Sequence, residues 1–187
     1  MSLDIYLDGA DLPLITHWAK HPAVSGFTTN PSLLAAAGVT DYQEFGRGAT
    51  AAALGKSISF EVVTDDLADK ERQAHVIAAW GPNVYVKIPV TNAVGTSTMP
   101  LVTRLAEAGI PVNVTAVFTY GQMREAHGAL IHAKTGIVSV FAGRIADTGR
   151  DPEDYVKDAV LLRANHRVQV LWASTREIVN TLQASRA

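Results

Sequence analysis

The sequence has no cysteine, which excludes disulfides and thiolate metal sites. No apolar run approaches the roughly 18 residues that a membrane-spanning helix needs. A strong charge of either sign is also missing. The 16 Lys and Arg stand against 18 Asp and Glu, a formal net charge of −2, which points away from nucleic acid and anionic membranes as partners. Glycine-rich nucleotide cradles are absent: the turn after the first apolar run reads DGAD rather than G-x-G-x-x-G, and no Walker sequence occurs. The N-terminal MSLDIYLDGAD has no basic stretch followed by an apolar one, so a signal peptide is not expected and a cytoplasmic protein is. The 187 residues, 48% hydrophobic and 18% charged, predict a single globular domain over 1–187 with a large core.

What the chain does contain is one unit repeated: a short apolar run, then a helical segment. The runs are LDIYL (3–7), VSGFT (24–28), SISFEVV (57–63), VYVKIPV (84–90), VNVTAVF (112–118), IVSVFAG (137–143) and VQVLWAS (168–174), all rich in β-branched or aromatic residues. Helices are expected at about 11–20 with Asp11 as N-cap, 31–37, 41–54, from a cap at Asp65 or Asp66 to about 80, 98–108, 121–134, 152–164 and 175–184, with a loop RIADTGRD (144–151) after the sixth run. Strict strand–helix alternation predicts a parallel sheet covered by helices, and strands buried on both faces read as continuous apolar runs. A closed (β/α)8 barrel and an open doubly wound sheet both fit. Seven units are evident, one fewer than a full barrel holds.

Polar residues interrupt these runs, and Lys87 is the sharpest case. A lysine inside VYVKIPVT cannot easily bring its ammonium to water, and desolvation disfavours the charged form. A neutral lysine amine attacks carbonyl carbon to form a Schiff base. The plainer readings are an edge-strand lysine facing water or a lysine in a buried ion pair. Every run carries a polar residue in its second half or just beyond: Asp8, then Thr28, Thr29 and Asn30, Glu61, Lys87, Asn113 with Thr115, Ser139, and Ser174. Arg144 and Arg176 follow the sixth and seventh runs. Asn113 and Thr115 share a face, as do Ser139 and Phe141. Each buried polar group costs free energy unless it is partnered. In a barrel, the C-terminal strand ends converge on one site, which accounts for all of them together.

Some members also have local explanations. Asn30-Pro31 reads as a helix start, and Ser174 opens S-T-R-E, a capping box with Glu177. A helix N-terminus beside arginines would bind an anion. His17 and His21 are four residues apart, without a carboxylate partner at metal-ligand spacing. His75, His127, His132 and His166 read as exposed.

YLDGAD (6–11), GFTTNPSLL (26–34), SFEVV (59–63), VYVKIPVT (84–91), VNVTAVFT (112–119), VSVFAGRIADTG (138–149) and ASTRE (173–177) together resemble the small transaldolases, a family that includes fructose-6-phosphate aldolase-like enzymes. The resemblance implies a (β/α)8 barrel and a homo-oligomer. It also implies lysine-dependent aldol chemistry on sugar phosphates, with no metal or organic cofactor. By position it assigns Lys87 as the Schiff-base lysine, Asp8 as the acid/base of carbon–carbon cleavage, and Glu61 with Thr115 as holders of a proton-relay water. Thr28, Asn30, Asn113, Ser139 and Phe141 fall at substrate positions, and Arg144, Ser174 and Arg176 at phosphate positions. The aldolase branch typically has Gln where Glu61 stands and Tyr where Phe141 stands, so the resemblance tilts toward transaldolase. Alternatives are an aldolase releasing dihydroxyacetone and a non-catalytic sugar-phosphate-binding protein on the same scaffold. Family members usually continue for about forty residues past the ASTRE position, through an eighth strand and a terminal helix.

Overall fold

The computed structural model describes residues 3–187. Two compact units make up the chain, Asp4–Lys87 and Ile88–Ala187 with Leu3. The first contains β1 (Ile5–Asp8), α1 (Leu12–Ala19), β2 (Val24–Thr28), α2 (Pro31–Ala36), α3 (Tyr42–Ala52), β3 (Ser57–Glu61), α4 (Leu67–Ala78) and most of β4 (Val84–Pro89). The second continues with α5 (Met99–Glu107), β5 (Val112–Val117), α6 (Tyr120–Ala129), β6 (Gly136–Val140), α7 (Ala142–Ala146), α8 (Pro152–Leu161), β7 (Val168–Trp172) and α9 (Val179–Arg186).

The strands are parallel and ordered as in the chain. A doubly wound sheet reverses its strand order at a switch point. None occurs here, so the open-sheet alternative falls and the fold is of the (β/α)8-barrel class, with seven strands among the described residues. Register aligns the strand ends that matter. Asp8 lies opposite Thr28, and Glu61 opposite Lys87.

The helices start where the sequence places caps. Asp11, Asn30, Asp41, Asp66 and Asp151 each accept a backbone N–H of the first turn. Thr119 and Gln122 form a reciprocal capping box on α6. Each such cap contributes about 1 kcal/mol. The strands pack on both faces: Ile58, Phe60, Val86, Ile88, Val112, Val114 and Val138 are fully buried. Phe60 centres an aromatic cluster, with ring centroids 5.1 Å from Trp80 and 6.4 Å from both Tyr42 and Phe45. Phe60→Ala is expected to lower stability by about 3–5 kcal/mol. The denaturation midpoint should fall with the slope unchanged.

Three segments differ from the sequence reading. The sixth run stops being strand at Val140, and α7 over Ala142–Ala146 takes the place of the end of that run and the start of the expected loop. The last helix begins at Val179, not at 175. His127 is 6% exposed, not a surface residue; burial pushes its imidazole below the ordinary value against a hydrogen bond to the Ala159 backbone. No described helix is long and apolar enough to cross a membrane.

Candidate functional site

In the first unit, parallel register brings a lysine and a carboxylate together. Lys87 is 7% exposed, and its Nζ lies 3.3 Å from Glu61 Oε2. The same Nζ donates to the Thr29 carbonyl at 3.0 Å. Of the two plainer readings, the water-facing lysine is excluded and the ion pair is present. Thr29 is fully buried, and both its N–H and its Oγ1 donate to the Ser59 carbonyl at 3.0 Å. The acceptor of the lysine is therefore fixed to the next strand. Tyr42 reaches over from α3 and donates its hydroxyl to the Glu61 carbonyl at 2.8 Å.

Electrostatics follow from this burial. Removal from water pushes the Glu61 carboxyl above its ordinary value; the Lys87 ammonium and its hydrogen bond, then Lys70, pull it back, and Asp8 adds to the rise. Burial also raises the Tyr42 phenol, with the Glu61 charge second. Asp8 is exposed at the end of β1, where it accepts from Thr28 Oγ1 at 2.8 Å. Asn30 is the N-cap of α2, its Oδ1 accepting from Leu33 N–H at 3.0 Å, as its local reading anticipated.

In the second unit, Ser139 Oγ donates to Asn113 Oδ1 at 2.7 Å, and both residues are fully buried. Thr115 is 1% exposed, and its Oγ1 has no hydrogen-bond partner among the described residues. The pairing of β5 shifts between Val114 and Val117, and Ala116 takes a left-handed backbone with φ 57°. Such an irregularity re-aims the side chains beside it and is found near functional sites. Phe141 packs edge-on against Phe118, with centroids 5.4 Å apart.

Of the expected phosphate residues, Arg176 pairs with Asp147, Arg144 acts on the same carboxylate, and Ser174 lies against Gly143. Arg176 Nη2 donates to Asp147 Oδ2 at 2.8 Å, both side chains about half exposed. That hydrogen bond holds the Asp147 carboxyl below the usual range, with Arg144 contributing a further pull. Gly143 lies so close to the turn after β7 that a Cβ there would sit 1.7 Å from the Ser174 carbonyl oxygen. The expected capping box at Ser174 is absent. Ser174 has φ 61°, and the N–H groups of Arg176 and Glu177 donate instead to Asn180 Oδ1 at 2.8 and 3.0 Å. The left-handed turn lets Ser174 pass under α7, and the helix consequently starts after Ile178.

Two contributors, Tyr42 and Lys70, escaped the sequence reading as site residues. Thr29 was singled out for its polar side chain, but it meets Lys87 through its carbonyl, which no side-chain pattern reveals. Tyr42 sits in an amphipathic helix, where an aromatic reads as core. Lys70 was detectable: Lys70, Ala74 and Ile77 follow helical spacing and all are buried on α4. Among the described residues, no group of three or more His, Asp or Glu could hold a metal.

Residues 5–185 match the family model described as Transaldolase/Fructose-6-phosphate aldolase. A protein of Dehalococcoides mccartyi named "Probable transaldolase" is 35% identical over 186 residues, covering 97% of this chain and 82% of its own length. Its namesake in Roseiflexus sp. is 37% identical over 193 residues, with 99% and 82% covered. One from Herpetosiphon aurantiacus is 35% identical over 195 residues, with 99% and 80% covered. With a family match along nearly its whole length and relatives above 30% identity, the chain belongs to the transaldolase/fructose-6-phosphate aldolase family.

Proposed function

We propose that this protein is a transaldolase that moves a dihydroxyacetone unit from a ketose phosphate to an aldose phosphate through a Schiff base on Lys87. The observation that carries the reading is the buried Lys87–Glu61 pair, with Nζ and Oε2 3.3 Å apart. A buried amine beside a carboxylate has the acceptor it needs to shed its proton, and a raised Glu61 is suited to hold that proton and return it. Glu61 takes the Lys87 proton, the neutral amine attacks the C2 carbonyl, and a carbinolamine forms. Through a water held with Thr115, Glu61 returns a proton to the C2 hydroxyl, which leaves as water to give the iminium. Asp8 accepts the C4 hydroxyl proton, the C3–C4 bond breaks, and its electron pair flows into the iminium. The enamine of dihydroxyacetone stays on Lys87, the aldose phosphate leaves, and a second aldehyde takes up the three-carbon unit.

Thr28, Asn30, Asn113, Ser139 and Phe141 are assigned to the sugar, and Arg144, Ser174 and Arg176 to its phosphate. The carboxylate at Glu61 and the phenyl at Phe141 favour the transferase over an aldolase. The reading extends to a cytoplasmic homo-oligomer, which light scattering on the purified protein checks. Treatment with fructose 6-phosphate and borohydride should reduce an adduct onto Lys87, found by peptide mass. An unmodified Lys87 sinks the proposal. Free dihydroxyacetone accumulating without an acceptor aldehyde would turn it into an aldolase.

Asp147 competes with phosphate for the arginines. Asp147→Asn should therefore tighten inorganic phosphate binding by roughly three- to tenfold, read by calorimetry at low ionic strength.

A further inference from the structure

Thr29 follows β2 directly and is fully buried, in a place where valine would fill the same volume without a polar atom. Its hydroxyl makes a bond that the strand does not need. Thr28 lies opposite Ser59 in the β2–β3 pairing, and the Thr29 N–H already donates to the Ser59 carbonyl at 3.0 Å. The Thr29 Oγ1 donates to that same oxygen, also at 3.0 Å. The peptide that joins Thr29 to Asn30 is tied on its other side as well, because Asn30 caps α2 by accepting the Leu33 N–H at 3.0 Å. The carbonyl of this doubly held peptide accepts from Lys87 Nζ at 3.0 Å. All of these residues belong to the first unit.

We infer that Thr29 is a positioning residue for the Lys87 amine: its hydroxyl locks the peptide whose carbonyl holds one N–H of the lysine, before and after the lysine gives up its proton. The inference rests on the Schiff-base reading above. An ammonium carries three N–H donors. In the resting protein one faces Glu61 Oε2 at 3.3 Å and another the Thr29 carbonyl at 3.0 Å. When Glu61 takes a proton, its contact with the amine changes character, because a carboxyl can itself donate. The peptide oxygen remains an acceptor throughout. With Cε and one N–H fixed, the amine cannot spin about the Cε–Nζ bond, and its lone pair is confined to the two remaining corners of the nitrogen. Attack on a carbonyl carbon needs that lone pair aligned, and an amine free to turn reacts more slowly. A Thr29 carbonyl free to tilt on a single N–H bond would hold the amine loosely, although Lys87 and Glu61 would both still be present.

The test is the rate at which fructose 6-phosphate becomes fixed to Lys87 in the presence of cyanoborohydride, read by peptide mass over a range of ketose concentrations. Thr29→Val keeps the volume of the side chain and removes the hydroxyl. The Ser59 carbonyl keeps the backbone N–H of residue 29, so no buried acceptor is left bare. Thr29→Ser keeps the hydroxyl and removes a buried methyl. Thr29→Val should lower the maximal fixation rate by roughly 10- to 100-fold and leave the half-saturating ketose concentration within about a factor of two of the parent. Thr29→Ser should keep the rate within about threefold of the parent, yet have the lower thermal midpoint of the two, because the lost methyl leaves a cavity. Rate and stability then fall in different variants. A purely structural Thr29 would leave Thr29→Val at the parental rate, or would slow Thr29→Ser as much as Thr29→Val, and either result overturns the inference. If Thr29→Val does not fold, Thr29→Ala takes its place beside Thr29→Ser. These two differ in the hydroxyl alone, and equal rates overturn the inference. Trapping on the parent protein separates the two failures. A labelled Lys87 with an unslowed Thr29→Val defeats this inference alone, whereas an unlabelled Lys87 defeats the Schiff-base reading and this inference with it.

Discussion

Lys87→Arg is expected to fold with near-parental stability and to lose the proposed transaldolase activity by a factor of roughly 10⁴ or more. A guanidinium keeps a positive charge facing Glu61 and a donor for the Thr29 carbonyl, the two contacts that hold Lys87 at 3.3 and 3.0 Å. It remains protonated under all working conditions and cannot become a nucleophile for carbon. Borohydride with fructose 6-phosphate should then leave the whole protein unlabelled. Lys87→Met is the informative contrast, because it removes the charge as well. It leaves Glu61 with 16% of its side chain exposed and without its ion-pair partner. The expected loss at neutral pH is about 1–3 kcal/mol, below the full value for a broken buried pair because solvent still reaches the carboxylate. Its pH dependence has a definite sign. With the Lys87 charge gone, burial raises the folded-state value of the carboxyl further above the unfolded one, so the folded form binds the proton more tightly. Stability is then greatest below the ordinary carboxylate value and is lost as pH rises through the raised one. Denaturation midpoints at pH 5 and pH 8 should show Lys87→Met closer to the parent at pH 5. Lys87→Arg should show no such difference.

Gly143→Ala should lower kcat/KM for a ketose phosphate by about 10²-fold while Schiff-base formation with unphosphorylated dihydroxyacetone persists. The added Cβ would fall 1.7 Å from the Ser174 carbonyl oxygen and 3.2 Å from its Oγ. Backbone rather than a flexible side-chain end stands in the way, so α7 and the turn after β7 must separate by an ångström or more. Displacements of that size in positioning groups cost about two orders of magnitude in rate. Arg144 follows Gly143 directly, and Arg176 is tied to Asp147, so both of the proposed phosphate arginines move. Overpacking of this kind typically lowers stability by about 1–3 kcal/mol. Equal losses with phosphorylated and unphosphorylated ketoses would show that Gly143 serves folding alone and has no part in holding phosphate. Lys87→Arg, by contrast, should abolish adduct formation with both, so the two variants test the proposed bond-making and phosphate-binding roles separately.

Much of the site was legible in the sequence because strand chemistry is stringent. A Lys, a Glu and an Asn in runs of Val, Ile and Phe are anomalies that burial makes expensive, and each proved to be partnered in the fold: Lys87 by Glu61, and Asn113 by Ser139. Local capping rules were equally readable at Asp11, Asn30 and Asp66. Ser174 shows where local rules stop. Its S-T-R-E spelling satisfies a capping box, but proximity to Gly143 and a left-handed backbone place it under α7, and Asn180 takes over the N–H groups. His127 was misread for a similar reason. No local pattern in REAHGAL marks it as core, and the packing of α8 over α6 covers it.

The Schiff-base candidate, the strand–helix order and the family were determined by the sequence itself, because they depend on residue type, spacing and motif. Only the tertiary structure decided what Lys87 faces. Its register against Glu61, the Thr29 carbonyl beneath its ammonium and the Tyr42 hydroxyl on the Glu61 backbone are contacts between residues 19 to 58 positions apart. Pairing between separate strands and helices sets those contacts, and no local pattern encodes it. A lysine in an apolar strand states that a charge must be answered; the fold states by which groups, and at what distance.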